Sequence, residues 1–370
     1  MNQSTVERIV TFEVTIPLPK PLQLGSIHIP NREYTVVFAY DSEGNVGSAH
    51  SLSRNAPVST VIERTVAPYW LGTEVQDTHI AYDSAVRSNV CLGTNGIFWR
   101  ALSLVDCAMW ELRAKAAGLP LRRLICPRQE SFQTVLVGGY PLEDETAESL
   151  SAQIAGLAAK SPGGIKIGGT QDLENDIGRL STCRSVIPEH IPLMIDLYWQ
   201  YERADDFREH ADRLRELQLG WIEDAFPMDA YDEYQRLATE FRLPVAVGDE
   251  QTGLRNFEKH MEGSPVIRLD ATVCGGVTSF IRIAERAHEL GIVVSCHVYH
   301  HLHTQLAASL PAVKWVELIP DHLGIDSIST LWTADLDWKD GCLVPSDGPG
   351  TGVSWDFEQL NRYRKSSLRR

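Results

Sequence analysis

The 370-residue chain is 43% hydrophobic and 22% charged, a globular balance that excludes collagenous and disordered classes and leaves room for two or three ordinary domains. Its net charge of −15 repels nucleic-acid phosphates and anionic lipid, and the one basic run, Arg362 to Arg370, reads as a solvated tail. Seven scattered cysteines form no CxxC pair, the start (Met1 to Thr11) lacks a signal-peptide core, and no run reaches the ~18 apolar residues of a membrane span. The expectation is a cytoplasmic protein with no nucleic-acid or membrane partner.

Residues 6 to 50 alternate apolar and polar side chains around turn signals, as in Val36-Val-Phe-Ala-Tyr followed by Asp41-Ser-Glu-Gly-Asn, which predicts an antiparallel meander. A helix is expected from about Ala101, with Leu104, Val105, Ala108, Leu112 and Ala116 on one face and Gly118 and Pro120 ending it. These elements are assigned to an N-terminal α+β capping domain, residues 1–130.

From Thr134 onward one unit recurs: a β-branched apolar run stops at a polar residue and helical periodicity follows, the signature of βαβ units. Eight such runs begin at Thr134, Gly164, Leu193, Gly220, Pro244, Val266, Ile292 and Val313. The polar ends, from Lys166 to Glu317, fall 20 to 30 residues apart, as one strand, one helix and two turns require. No dinucleotide glycine fingerprint follows any run, and eight parallel units are the number that closes a (β/α)8 TIM-type barrel, assigned to residues 131–335. The turn-rich segment 336–370 is expected to return to the capping domain.

In such a barrel the C-terminal strand ends converge on one mouth. Lys166, Asp196, Glu223, Asp249, Asp270, His297 and Glu317 would therefore be neighbours. Asp196, Glu223 and Asp249 sit in three consecutive units and would repel one another without a cation between them. Oxygen ligands favour magnesium, with manganese as the alternative. Lys166 and His297 flank that metal site as acid/base candidates, and Asp270 is placed to orient His297. Glu250 follows Asp249 and, by strand alternation, should face the other side. Of the histidines at 300, 301 and 303, the spacing fits no zinc motif; His300 is taken as a substrate contact, while His301 and His303 read as a polar loop.

Taken together these motifs resemble the enolase superfamily, in its mandelate racemase-like subgroup, over nearly the whole chain. The helix Ala101-Leu-Ser-Leu-Val-Asp-Cys-Ala-Met-Trp-Glu-Leu-Arg resembles that family's capping helix, and Lys166-Ile-Gly its second-strand lysine. Asp196, Trp221-Ile-Glu223-Asp and Gly248-Asp249-Glu resemble its three metal ligands. Leu269-Asp270 with Gly275-Gly276, and Cys296-His297, resemble its Asp-His dyad; Trp315-Val-Glu317 and Asp347-Gly-Pro-Gly-Thr-Gly also fit. The resemblance implies that magnesium and hydrogen bonds hold a substrate carboxylate while a base removes the neighbouring proton, giving an enediolate. It implies that Lys166 and His297 are base and acid on opposite faces, and that a protonated Glu317 would donate to the enediolate. Two departures stand out. The family often has Lys-x-Lys where this chain has Gly164, and Asn where it has Tyr198.

The leading expectation is a magnesium-dependent lyase that dehydrates a sugar acid to a 2-keto-3-deoxy acid. A racemase, epimerase or cycloisomerase would use the same Lys166/His297 pair, and a metal-binding barrel without catalysis is the reading from another class. Substrate contacts are assigned to Lys20 and His50 on the capping domain and to Tyr140, Tyr198, Glu250 and His300 at the mouth. The partner is a small carboxylate, and a homo-oligomer is expected.

Overall fold

The computed structural model describes residues 4–365 except 25–26, 128–131, 143 and 335–336. The chosen boundaries at 130/131 and 335/336 lie outside the described residues. So do Met1 to Gln3 and the end of the basic tail, 366–370.

Strands β1 (Val6–Leu24), β2 (Ile27–Asp41) and β3 (Val46–Leu52) form an antiparallel meander. The turn between β2 and β3 is held by Asp41, whose carboxylate accepts from the backbone N–H groups of Glu43 and Asn45, with Gly44 supplying a φ of +87°. One face of the sheet carries helix α1 (Ile97–Ala116). Contact is close because position 47 has no side chain: a Cβ on Gly47 would lie 2.1 Å from the Ala108 carbonyl oxygen. The other face, with Val14, Ile16, Tyr34, Val36 and Phe38, is covered by Leu331, Trp332, Val353 and Leu360 from the C-terminal segment. Trp355 Nε1 donates to Ser48 Oγ on β3 at 2.8 Å.

Helix α1 starts at Ile97, four residues before the periodicity suggests, and is buried on more than one face. The reason is a second partner, helix α2 (Gly276–Glu289) of the barrel. The Asp106 carboxylate accepts from the backbone N–H and the hydroxyl of Thr278, each at 2.8 Å, and Trp110 Nε1 donates to the same hydroxyl. Asp106 thus supplies the first turn of α2 with the acceptor it lacks.

Eight parallel strands close a barrel: β4 (Gln133–Gly138), β5 (Gly164–Gly168), β6 (Leu193–Asp196), β7 (Ile222–Glu223), β8 (Val245–Val247), β9 (Val266–Leu269), β10 (Val293–Cys296) and β11 (Val313–Leu318). They are adjacent in chain order, and β11 pairs with β4 through Trp315 and Gln133. Val135, Met194, Trp221, Ala246 and Val266 fill the interior below the mouth. His301 and His303 are not in a polar loop. They belong to helix α3 (His300–Ala307), where His303 is fully buried and bridges the Val298 carbonyl and the Ala271 N–H. All seven cysteines are free, and no described helix is long and apolar enough to cross a membrane.

Candidate active site at the barrel mouth

The strand register sets the site. Asp196 ends β6 directly beside Glu223 at the end of β7, and Gly168 of β5 pairs with Asp196. Asp249 follows β8 after Gly248, whose φ of +132° turns the chain out of the sheet. One carboxylate oxygen from each of Asp196, Glu223 and Asp249 lies within 4.8 Å of the others. Beyond the strand ends the backbone turns sharply: Tyr198, Trp199, Asp224, Val298 and Tyr299 all have φ between +34° and +58°. Such conformations in non-glycine residues cost energy and collect at functional sites.

Lys166, buried in the wall, places Nζ 2.5 Å from Glu223, 2.9 Å from Glu317 and 3.4 Å from Asp196. Burial opposes its charge, but Glu223 and Glu317 outweigh that and hold its pKa well above the ordinary lysine value. Across the mouth, His297 Nδ1 is 2.9 Å from Asp270 Oδ2 and its Nε2 is 3.6 Å from Asp249 Oδ2. Burial disfavours the imidazolium, yet Asp249 and Asp270 prevail and bring its pKa up to about 9.

Beneath these groups lies Arg268 on β9, with no solvent exposure. Its guanidinium meets Glu223 at 3.1 Å and Asp249 at 3.0 Å, donates to Glu317, and reaches Ser295 Oγ at 2.6 Å. Glu317 is therefore an acceptor; despite burial, Arg268 and Lys166 hold its carboxyl below the usual range, which differs from a protonated donor. Lys166 and Arg268, with His297 beside Asp249, face the four carboxylates Asp196, Glu223, Asp249 and Glu317, and burial pushes the carboxyls of Asp196 and Glu223 up. Clustered buried carboxylates are costly, and a hard divalent cation suits both their sign and their oxygen donors.

Above the cluster a cleft is lined by Lys166, Asp196, Asp249, His297 and Glu317 from the barrel and by Leu24, Arg32, Leu52 and Arg54 from the cap. Tyr140 and Tyr198 line it as well. Glu250 faces the same cleft as Asp249 rather than the opposite side, since Gly248 has already ended strand alternation. It is gripped by Arg100 and, at 2.8 Å, by Arg54. These cations outweigh burial and bring its carboxyl down to about 2.

Lys20 lies away from the cleft, with its side chain 64% exposed and paired to Asp144 at 2.9 Å. His50 is buried among Tyr299, His301, Trp332 and Trp355, stacked on His301 with centroids 4.9 Å apart. His300 lines the adjoining cavity with Trp332 and Asp326. The residues that sequence reasoning overlooked are Arg268, Arg32, Arg54, Arg100 and Asp326. Arg268 had a legible signal: a charged residue inside the apolar run Val266-Ile-Arg-Leu-Asp270, two places from Asp270 and so on the same strand face. A Cβ on Gly164 would lie 2.5 Å from Met194 Cε, so a lysine there would require that flexible side-chain tip to move aside.

Residues 149–360 match the enolase C-terminal domain-like family, and residues 6–126 match the mandelate racemase / muconate lactonizing enzyme N-terminal domain. The chain belongs to the enolase superfamily. Within it, the chain is 28% identical to the L-talarate/galactarate dehydratase of Salmonella typhimurium, over 94% of this chain and 88% of that protein. It is 27% identical to the 3,6-anhydro-alpha-L-galactonate cycloisomerase of Streptomyces coelicolor, over 96% and 99% of the two chains. The crystal structure of a racemase from Streptomyces coelicolor A3(2) with bound magnesium superposes with a TM-score of 0.88 at 25% identity, covering 97% of this chain and 99% of that one.

Proposed function

We propose that this protein is a magnesium-dependent lyase that removes water from a sugar acid to give a 2-keto-3-deoxy acid. The observation that carries the reading is the buried triad Asp196, Glu223 and Asp249, flanked by Lys166 on one side and the His297–Asp270 pair on the other. In this reading the triad holds magnesium, with manganese as a substitute. When bound, the divalent cation neutralises carboxylate charge and supplies positive charge facing the substrate carboxylate.

With a divalent cation sharing the carboxylates that otherwise hold its proton, Lys166 would serve as the base that takes the proton α to the carboxylate. His297, kept protonated by its carboxylate neighbours and oriented by Asp270, gives its proton to the departing β-hydroxyl, which leaves as water. The C–H and C–O bonds break, a C=C bond forms, and the resulting enol tautomerises to the ketone. Glu317, held by Arg268 and Lys166, fixes the lysine beside the reacting carbon. Tyr140, Tyr198 and Glu250 contact the sugar hydroxyls from the cleft wall.

The cycloisomerase and racemase among the similar proteins support a second reading with the same two residues, in which no water is lost. Incubating the protein with magnesium and a sugar-acid library separates the two. A semicarbazide-reactive ketone lighter than its acid by one water marks the dehydratase, a ketone of unchanged mass marks a cycloisomerase, and lost optical rotation without ketone marks a racemase. Absence of any α-proton exchange in heavy water would leave only a non-catalytic barrel.

The same proposal divides the chain into residues 1–130, 131–335 and 336–370 and takes it as a cytoplasmic homo-oligomer. Seven free cysteines and the exposed Leu71, Ile80, Val90 and Leu92 on the cap support this.

A further inference from the structure

We infer that Arg32 receives a second carboxylate, so that the substrate is a dicarboxylic (aldaric) acid rather than a monocarboxylic (aldonic) one. The inference rests on reading the cleft as a sugar-acid site and deepens it. Arg32 rises from β2 into the cleft and is only 7% exposed. Its Nε donates to the Ile325 carbonyl at 3.0 Å, which fixes the plane of the guanidinium. Among the described residues its two terminal nitrogens donate no hydrogen bond, and Arg32 forms no ion pair.

Every other cation lining the cleft is matched: Arg54 by Glu250, Lys166 by Glu223 and Glu317, and His297 by Asp270. Asp326 lines the same cleft but forms no ion pair with Arg32, its Oδ1 accepting instead from the Tyr34 hydroxyl and the Ile328 N–H. A guanidinium keeps its charge at all relevant pH values, and here it faces the cleft with its terminal N–H groups free to receive a ligand. A sugar hydroxyl would satisfy one hydrogen bond and leave the charge. A carboxylate satisfies both edges as a planar fork and cancels the charge. The cleft then has two anion-receiving ends, the Lys166 and triad end on the barrel and the Arg32 end on the cap.

The test pairs five- and six-carbon aldaric acids with aldonic acids of the same configuration. Calorimetric titration in magnesium reads binding independently of turnover, and ketone formation reads kcat/KM. The expected result is preference for one aldaric acid over its aldonic partner, with Arg32→Gln lowering kcat/KM for the diacid ~10–200-fold, mostly through KM, and lowering it far less for the monoacid. Arg32→Lys should recover part of the loss. Equal handling of both acids by the parent protein, or an equal fall for both in Arg32→Gln, overturns the assignment while the sugar-acid reading stands. Neither binding nor exchange with any acid overturns both. If Arg32→Gln melts early, the parent's diacid-to-monoacid ratio alone decides.

Discussion

Arg268 Nε stands 3.0 Å from Asp249 Oδ1 at the floor of the cleft, and both side chains are buried. Arg268→Met should strand Asp249, Glu223 and Glu317 without their shared cation, at a cost of about 3–5 kcal/mol. Denaturant unfolding in chelator reads this loss directly, and magnesium should restore part of it. A variant as stable as the parent in chelator would contradict the charge balance assigned to the floor.

Magnesium itself should stabilise the fold. At a hundred times its dissociation constant the gain is about 2.7 kcal/mol. Asp196→Asn and Asp249→Asn should each erase most of it. Thermal unfolding across a magnesium series checks this without any substrate, and identical melting curves throughout would remove the metal from the proposal.

The two proton transfers can be separated. His297→Asn should abolish ketone formation while α-deuterium exchange persists through Lys166; Lys166→Ala should abolish exchange. Asp270→Asn keeps a hydrogen-bonding group beside the ring but removes its charge, and should lower turnover ~10²–10⁴-fold. Loss of exchange in His297→Asn would assign the first transfer to the histidine.

Acid should weaken the protein through histidines outside the site. Burial brings His50 down to about 3 and His260 to about 4, from 6.5 in an exposed chain. Below pH 6.5 the unfolded chain therefore binds more protons than the folded one, so stability falls as pH drops toward 4, by ~1.4 kcal/mol for each unit of displacement. Urea midpoints between pH 7.5 and 4.5 should show this slope, and His260→Gln should flatten it.

Gly47→Ala tests how firmly the cap is seated. The new methyl meets the Ala108 carbonyl at 2.1 Å and the Leu112 nitrogen at 2.4 Å, both backbone atoms that cannot step aside. Destabilisation of about 3 kcal/mol or more is expected, read as a lowered urea midpoint with an unchanged slope.

Much of the barrel was legible because seven of the eight parallel strands, all but β4, are apolar runs with a charged or titratable residue at or near the end, so Lys166, Asp196, Glu223 and Asp249 announce themselves. The cap contributions were not. Lys20 and Arg32 are both basic residues on the first hairpin, and which one turns inward depends on its pairing. The register shifts between Pro17 and Leu22, which breaks simple alternation on β1. His50 lies on β3 paired with Val36, and the aromatic cluster that hides it is assembled from α3 and the C-terminal segment, neither of which local pattern can bring together. Glu250 was placed on the wrong side because the chain leaves the strand at Gly248, one residue before Asp249.

The space beside Gly164 is filled by the thioether of Met194, whose Cε a Cβ at 164 would approach to 2.5 Å. A methionine tip swings aside more readily than backbone does, so the wall of the barrel at this point is soft: a longer side chain at 164 asks one neighbour to repack and leaves the strand where it is.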